Sequence, residues 1–348
     1  MVCIFMNRVV VVFGLMRFTV FIVSALLFAC KAEREPLSDK GQWQITDQFI
    51  LSAVLSERGL YTALLFPEGR IVVWDNDTQR RLIEWQAPDV LPDTSMIHMD
   101  ESGRYILSAN RNVVQIWDSG SKVPVGALNV SAQLGDASIT SFTFQQAPFA
   151  LVIGTSGGDI LFADIHNNVY QLAHQHDADV VKLIVSPDGE LYSAGNDGLV
   201  VRWDMQTQTP SQTLTVPHRV TSLEVGQDHK VFVSDALETQ VVWQSQRNEI
   251  ISELAYWERF QWFRVARFAP ANAWLVTSSP KTELYLWDTN TGEPIARWWA
   301  QAQGFGSAIL DMCFVNSATL RTVTSDAVLQ DWDLVDIAGQ TGITQANK

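Results

Sequence analysis

Basic residues are scarce in this 348-residue chain: 24 Lys and Arg stand against 38 Asp and Glu, for a formal charge of −14. An acidic surface repels phosphate backbones and anionic headgroups, which excludes nucleic acid as a partner and charge-driven adhesion to anionic lipid. Cysteine is scarcer still, at three. Cys3 and Cys30 fall in the N-terminal apolar region, so only Cys313 remains in the body and no disulfide forms within it. It sits in the run Met312-Cys313-Phe314-Val315 and reads as a buried, inert thiol. Tyrosine is outnumbered, 6 against 13 Trp, which favours sheets anchored by indole rings. Charged residues make up only 18% and apolar residues 47%, so the chain can fill a sizeable core and is not globally disordered.

A long apolar run is missing too. Residues 18–29 are almost wholly apolar, but twelve residues fall short of the roughly 20 that span a bilayer. Extending back to Val9 places Arg17 in the middle of the run, which points to a start at Met6 or Met16 rather than Met1. A basic start, a short apolar stretch and a small residue before the cut describe a secretory signal over residues 1–29. Its end, Leu27-Phe28-Ala29-Cys30, resembles a bacterial lipoprotein lipobox, although Phe28 departs from the usual residue there. That resemblance implies that Cys30 carries the lipid, palmitate included. It also implies, since Lys31 rather than Asp follows, that the protein is held at the outer membrane, facing the periplasm or the cell surface. Residues 30–41 then form the lipidated Cys and a polar tether containing Pro36. Without the signal the balance is 22 basic to 38 acidic residues, because Arg8 and Arg17 leave with it.

What the chain does have is a repeat. Residues 176–204 hold three short β-type runs separated by Ser186-Pro187-Asp188-Gly189 and Asn196-Asp197-Gly198, both turn signals, and end at Trp203-Asp204. Similar endings stand at Asp75, Asp118, Asp164, Asp204, Gln244, Asp288 and Asp333, spaced 43, 46, 40, 40, 44 and 45 residues apart. Five of them are Trp-Asp; Phe162-Ala163-Asp164 and Trp243-Gln244 are degenerate. A period in the low forties with four short strands per unit is that of a propeller blade.

The repeats resemble the WD-repeat family over residues 42–340, with 341–348 a polar tail. The fold expected is all-β, a seven-bladed β-propeller of four-stranded antiparallel blades. Residues 176–204 carry the full family pattern. Ser56-Glu57-Arg58-Gly59 and Asp100-Glu101-Ser102-Gly103 keep its first turn, and Val315-Asn316-Ser317-Ala318 does not. A seventh fourth strand is needed to close the ring. Trp43-Gln44-Ile45-Thr46 is favoured for it over the rival at residues 335–339.

The resemblance implies that His176, Ser193, Asp197 and Trp203 form a hydrogen-bonded group bracing one blade. Ser, His and Asp in one unit invite a hydrolase reading, but no activated-nucleophile turn is present and the residues have a structural role. Asp326 to Trp332 repeats the six-residue spacing of Asp197 to Trp203. His174-x-His176-Asp177-x-Asp179 lacks a third and fourth metal ligand at matching spacing. Asp288-Thr289-Asn290-Thr291-Gly292-Glu293, with Trp298 beyond, resembles one tryptophan-docking repeat of quinone-cofactor propellers, in a single copy. Clustered channel arginines of the sialidase type are absent. No catalytic residue, metal ligand or cofactor is assigned.

The junctions after the fourth strands of the fifth and sixth blades break the pattern. They carry Tyr256, Trp257, Phe260 and Trp262, and Trp298 and Trp299; Trp85 holds a similar place in the first blade. Clustered aromatics with Arg are what protein-binding hot spots use, so these residues are the candidate rim surface. The expectation is a monomeric, non-enzymatic scaffold in the bacterial envelope, lipid-anchored and binding a protein or peptide. The alternative is an enzyme at the central channel, a quinone oxidoreductase or a hydrolase. A scaffold should show an aromatic rim and a bland channel. An enzyme should show charged side chains converging from several first strands.

Overall fold

In the computed structural model, residues 39–255, 262–304 and 306–345 are described. Seven four-stranded antiparallel sheets follow one another in a ring, a seven-bladed β-propeller. Blades 1 to 6 span residues 52–85, 96–129, 139–174, 180–215, 220–253 and 265–299. Blade 7 takes three strands from residues 309–333 and its fourth from the other end of the chain. The third strands are Ile71–Asp75, Val113–Asp118, Asp159–Asp164, Leu199–Asp204, Gln240–Gln244, Glu283–Asp288 and Val328–Asp333. Every repeat ending read from the sequence is the last residue of a third strand.

Those endings recur because of what the Asp does. Asp204 Oδ1 accepts the N–H groups of Gln206 and Thr207, at 2.8 and 3.1 Å, and so starts the turn into the fourth strand. Asp75 and Asp288 make the same turn, and Gln244 a weaker version through its side-chain oxygen. Residues 288–293 are therefore the blade-6 copy of this turn, which accounts for their letters without a quinone.

Burial grades along each blade. Second strands such as Leu191–Gly195 and Thr319–Thr324 are buried throughout, so they read as apolar runs seasoned with Ser and Thr. Fourth strands such as Val169–His174 and Thr209–Thr215 are largely exposed and polar. First strands contact the first strands of adjacent blades and so form the innermost ring, around the central channel. The apolar faces are buried between blades rather than within them. Trp85 of blade 1 lies 4.8 Å from Trp117 of blade 2, and Phe162 of blade 3 meets Trp203 of blade 4 edge-on at 5.6 Å. Each fully buried indole removes enough surface to contribute roughly 4–6 kcal/mol gross.

Closure comes from the N-terminal strand Asp39–Gln44, antiparallel to Val328–Asp333 with Trp43 opposite Leu329. Ile45 N–H continues the pairing to Ala327 O at 2.9 Å. The strand begins at Asp39, ahead of the segment proposed for it, and ends at Gln44. The rival segment is helical. Residues Leu334–Gln345 form a helix whose N-terminus is capped by Asp333 Oδ1, accepting from Val335 N and Asp336 N at 3.0 and 3.3 Å. The Asp that starts a turn in other blades thus starts a helix in blade 7, where the fourth-strand place is already filled. Leu334 and Ile337 are buried beneath it.

Candidate functional site

Blade 4 shows the complete brace. His176 donates or accepts through Nδ1 to both Asp197 carboxylate oxygens at 3.2 Å, and its Nε2 lies 2.8 Å from Ser193 Oγ. Trp203 Nε1 donates to the same Oγ at 3.0 Å. Asp197 also takes the N–H of Asp177 at 2.9 Å and that of Leu199 at 3.0 Å. Burial pushes the imidazole pKa down, and Asp197 only partly restores it. Burial pushes Asp197 up, but the Leu199 and Asp177 N–H donors and His176 outweigh it and hold the carboxyl low. His176 and Ser193 are 0% exposed. A substrate carbonyl cannot reach this hydroxyl, and both partners it has are fixed in place.

The Trp-to-hydroxyl half of the brace recurs. Trp117 Nε1 donates to Ser108 Oγ, Trp287 to Thr277 Oγ1 and Trp332 to Thr322 Oγ1, at 2.8, 2.9 and 3.1 Å. In blade 7, Asp326 Oδ2 accepts from Gln303 N at 2.8 Å, Gly304 N at 3.2 Å and Ser307 Oγ, so backbone and hydroxyl donors stand where blade 4 uses His. His174 is exposed and pairs with Asp159 across the outer strands at 2.8 Å. No set of three metal-ligating side chains converges among the described residues.

The aromatic candidates separate. Trp85 and Trp298 are corrections: they are 2% and 1% exposed and belong to the interblade core. Trp85 packs on Trp117 and donates Nε1 to Ser121 O at 2.8 Å; Trp298 packs against Trp332 at 6.1 Å. Strand parity explains Trp298, because Ala296 and Ala300 share its face and are buried with it. Trp299 faces the other way and is half-buried, with the Arg297 guanidinium 5.2 Å above its ring. Arg297 also covers Tyr285 at 5.1 Å and is ion-paired to Glu283. Trp262 is half-buried beside Phe263, which is fully buried between blades 5 and 6. Tyr256, Trp257 and Phe260 lie outside the described residues. Cys313 is buried, its thiol pushed up to about 12 mainly by burial.

The channel is not bland. First strands of blades 5, 6 and 7 bring Glu224, Arg267 and Asp311 together: Arg267 Nη1 lies 2.8 Å from Glu224 Oε2, and Nη2 2.9 Å from Asp311 Oδ1. Asp311 Oδ2 accepts Leu55 N–H of blade 1 at 2.8 Å, so one carboxylate links the last blade to the first. Lys182 of blade 4 feels all three charges. Arg267 is held protonated by its two carboxylates against the cost of burial. Burial, opposed by Arg267 and reinforced by Asp311, pushes Glu224 up to about 7. The firm charge of the pair is on the guanidinium, and Glu224 is the group that titrates near neutrality. His98 of blade 2, 3.4 Å from Thr143 Oγ1, is pushed down to about 4, chiefly by burial. Sequence reading missed this cluster. Its signal was present: Lys182, Glu224, Arg267 and Asp311 interrupt apolar first strands at intervals of 42, 43 and 44 residues, the blade period itself.

No protein-family model matches the chain, and no curated protein matches it. A chain of the crystal structure of the mitotic checkpoint complex is similar in fold, with a TM-score of 0.69 at 16% identity, over 87% of this chain and 94% of that one.

Proposed function

We propose that this chain is a WD-repeat propeller acting as a non-enzymatic protein-binding scaffold. We place it, held by lipid on Cys30, at the outer membrane of a bacterial envelope. The observation that carries the scaffold reading is the burial of Ser193 with His176, Asp197 and Trp203: the constellation closest to a hydrolase is spent inside a blade. The channel carboxylates are likewise engaged by Arg267 and backbone donors, which supports binding over catalysis there. The similar fold within a multiprotein checkpoint assembly agrees with a role in holding partners. The chain enters the ring as the outermost strand of blade 7, so a lipid on Cys30 would grip the disc at its edge through residues 31–38. Stable attachment needs more than one acyl chain, which a bacterial lipoprotein anchor supplies.

Two measurements test this. Affinity purification from envelope fractions should recover a stoichiometric protein partner with the wild type and lose it with Trp257→Ala or Trp299→Ala. Unchanged recovery in both variants would remove the aromatic surface from the account. Palmitate labelling should vanish in Cys30→Ser, and labelling that persists would refute the anchor.

A further inference from the structure

The channel holds more basic than acidic side chains, and the excess is uncompensated. Arg267 is taken up by Glu224 and Asp311, and Asp311 is completed by the N–H groups of Leu55 and Met312 at 2.8 and 2.9 Å. Lys182 comes from the first strand of blade 4, and Arg264 directly precedes that of blade 6. The charges of Arg267, Asp311, Arg264 and Glu224 all act on Lys182, which places the five in one cluster. Burial lowers the pKa of Lys182, as it does that of Arg264, where no charged partner among the described residues offsets it.

We propose that this cluster is a binding site for a carboxylate, held between Lys182 and Arg264. Two cationic groups drawn partly out of water, with no carboxylate in contact, are costly until an anion reaches them. Three basic groups against two acidic ones leave one positive charge. A single carboxylate balances it, whereas a phosphate dianion overshoots. Arg264 supplies a planar fork that suits carboxylate geometry, and Lys182 a point charge beside it. His98, with its pKa near 4, is neutral at physiological pH and adds no competing charge. The same carboxylate occurs at a peptide C-terminus and on free organic acids. The site stands apart from the scaffold reading, which survives if this one fails.

The test uses ligand-observed NMR on the folded protein with acetyl-trialanine bearing a free C-terminal carboxylate, and with its C-terminal amide. The acid should bind the wild type and the surface control Lys122→Gln, and the amide should not. Lys182→Gln and Arg264→Gln should each weaken the acid at least tenfold. Displacement by sodium acetate assigns the site to carboxylates at large; binding that acetate does not displace assigns it to the peptide terminus, and either supports the proposal. Equal binding of acid and amide, or no binding of the acid to the wild type, overturns it without reference to any variant's folding.

Discussion

Trp43 faces Leu329 across an antiparallel pair, so residues from opposite ends of the chain hold the ring shut. The Arg321 guanidinium stacks 4.9 Å above the Trp43 ring and is itself bonded to Asp331 at 2.7 Å and to Gly59 O of blade 1 at 2.6 Å. Trp43→Ala should therefore cost about 2 kcal/mol, less than a fully buried Trp, measured as a fall in urea midpoint. An unchanged midpoint would mean that the N-terminal strand is not part of the closed ring.

Ser193 is the shared acceptor and donor of the blade-4 brace. Ser193→Ala leaves the Trp203 N–H and one imidazole nitrogen buried without partners, at about 2–4 kcal/mol. Thr322→Val in blade 7, where one such bond is lost, should cost about half as much. Equal costs would argue that His176 adds nothing to the brace.

Gly158 turns the blade-3 hairpin at φ 85° and presses its backbone against blade 4. A Cβ there would sit 1.8 Å from His176 O, which accepts no such approach. Gly158→Ala should destabilise by at least about 2 kcal/mol. Gly189, also at positive φ but with open space around it, should lose less on the same change. Thermal denaturation of the two variants makes the comparison.

The channel groups give stability two opposed pH dependences. His98 titrates near 6.5 when unfolded and near 4 when folded, so its contribution is complete above about pH 6.5 and drains as pH falls toward 4, by at most about 3 kcal/mol. Glu224 is raised from 4.5 to about 7, so its contribution is present below about pH 4.5 and is lost as pH rises through 7. His98→Gln should flatten the acidic limb of a urea-midpoint profile, and Glu224→Gln the neutral limb. Profiles parallel to the wild type would contradict both assignments.

The blades were legible because one side chain does one job seven times: the residue closing each third strand starts the next turn, and the spacing of those residues fixes the ring. The site was less legible. Period-two alternation separates Trp298 from Trp299 but does not by itself say which faces inward; the buried Ala296 and Ala300 settle it. Trp85 looked like a rim residue only because its neighbour Trp117, a blade away, is invisible to local pattern. The channel charges were hidden for the same reason, since their meaning depends on four strands meeting at one axis.

The central claim is that the His-Ser-Asp group braces while the outer surface binds. Partner recovery measured side by side for folded Ser193→Ala and folded Trp299→Ala tests it most directly. The account predicts wild-type recovery with Ser193→Ala and loss with Trp299→Ala. Loss with Ser193→Ala and full recovery with Trp299→Ala would contradict it.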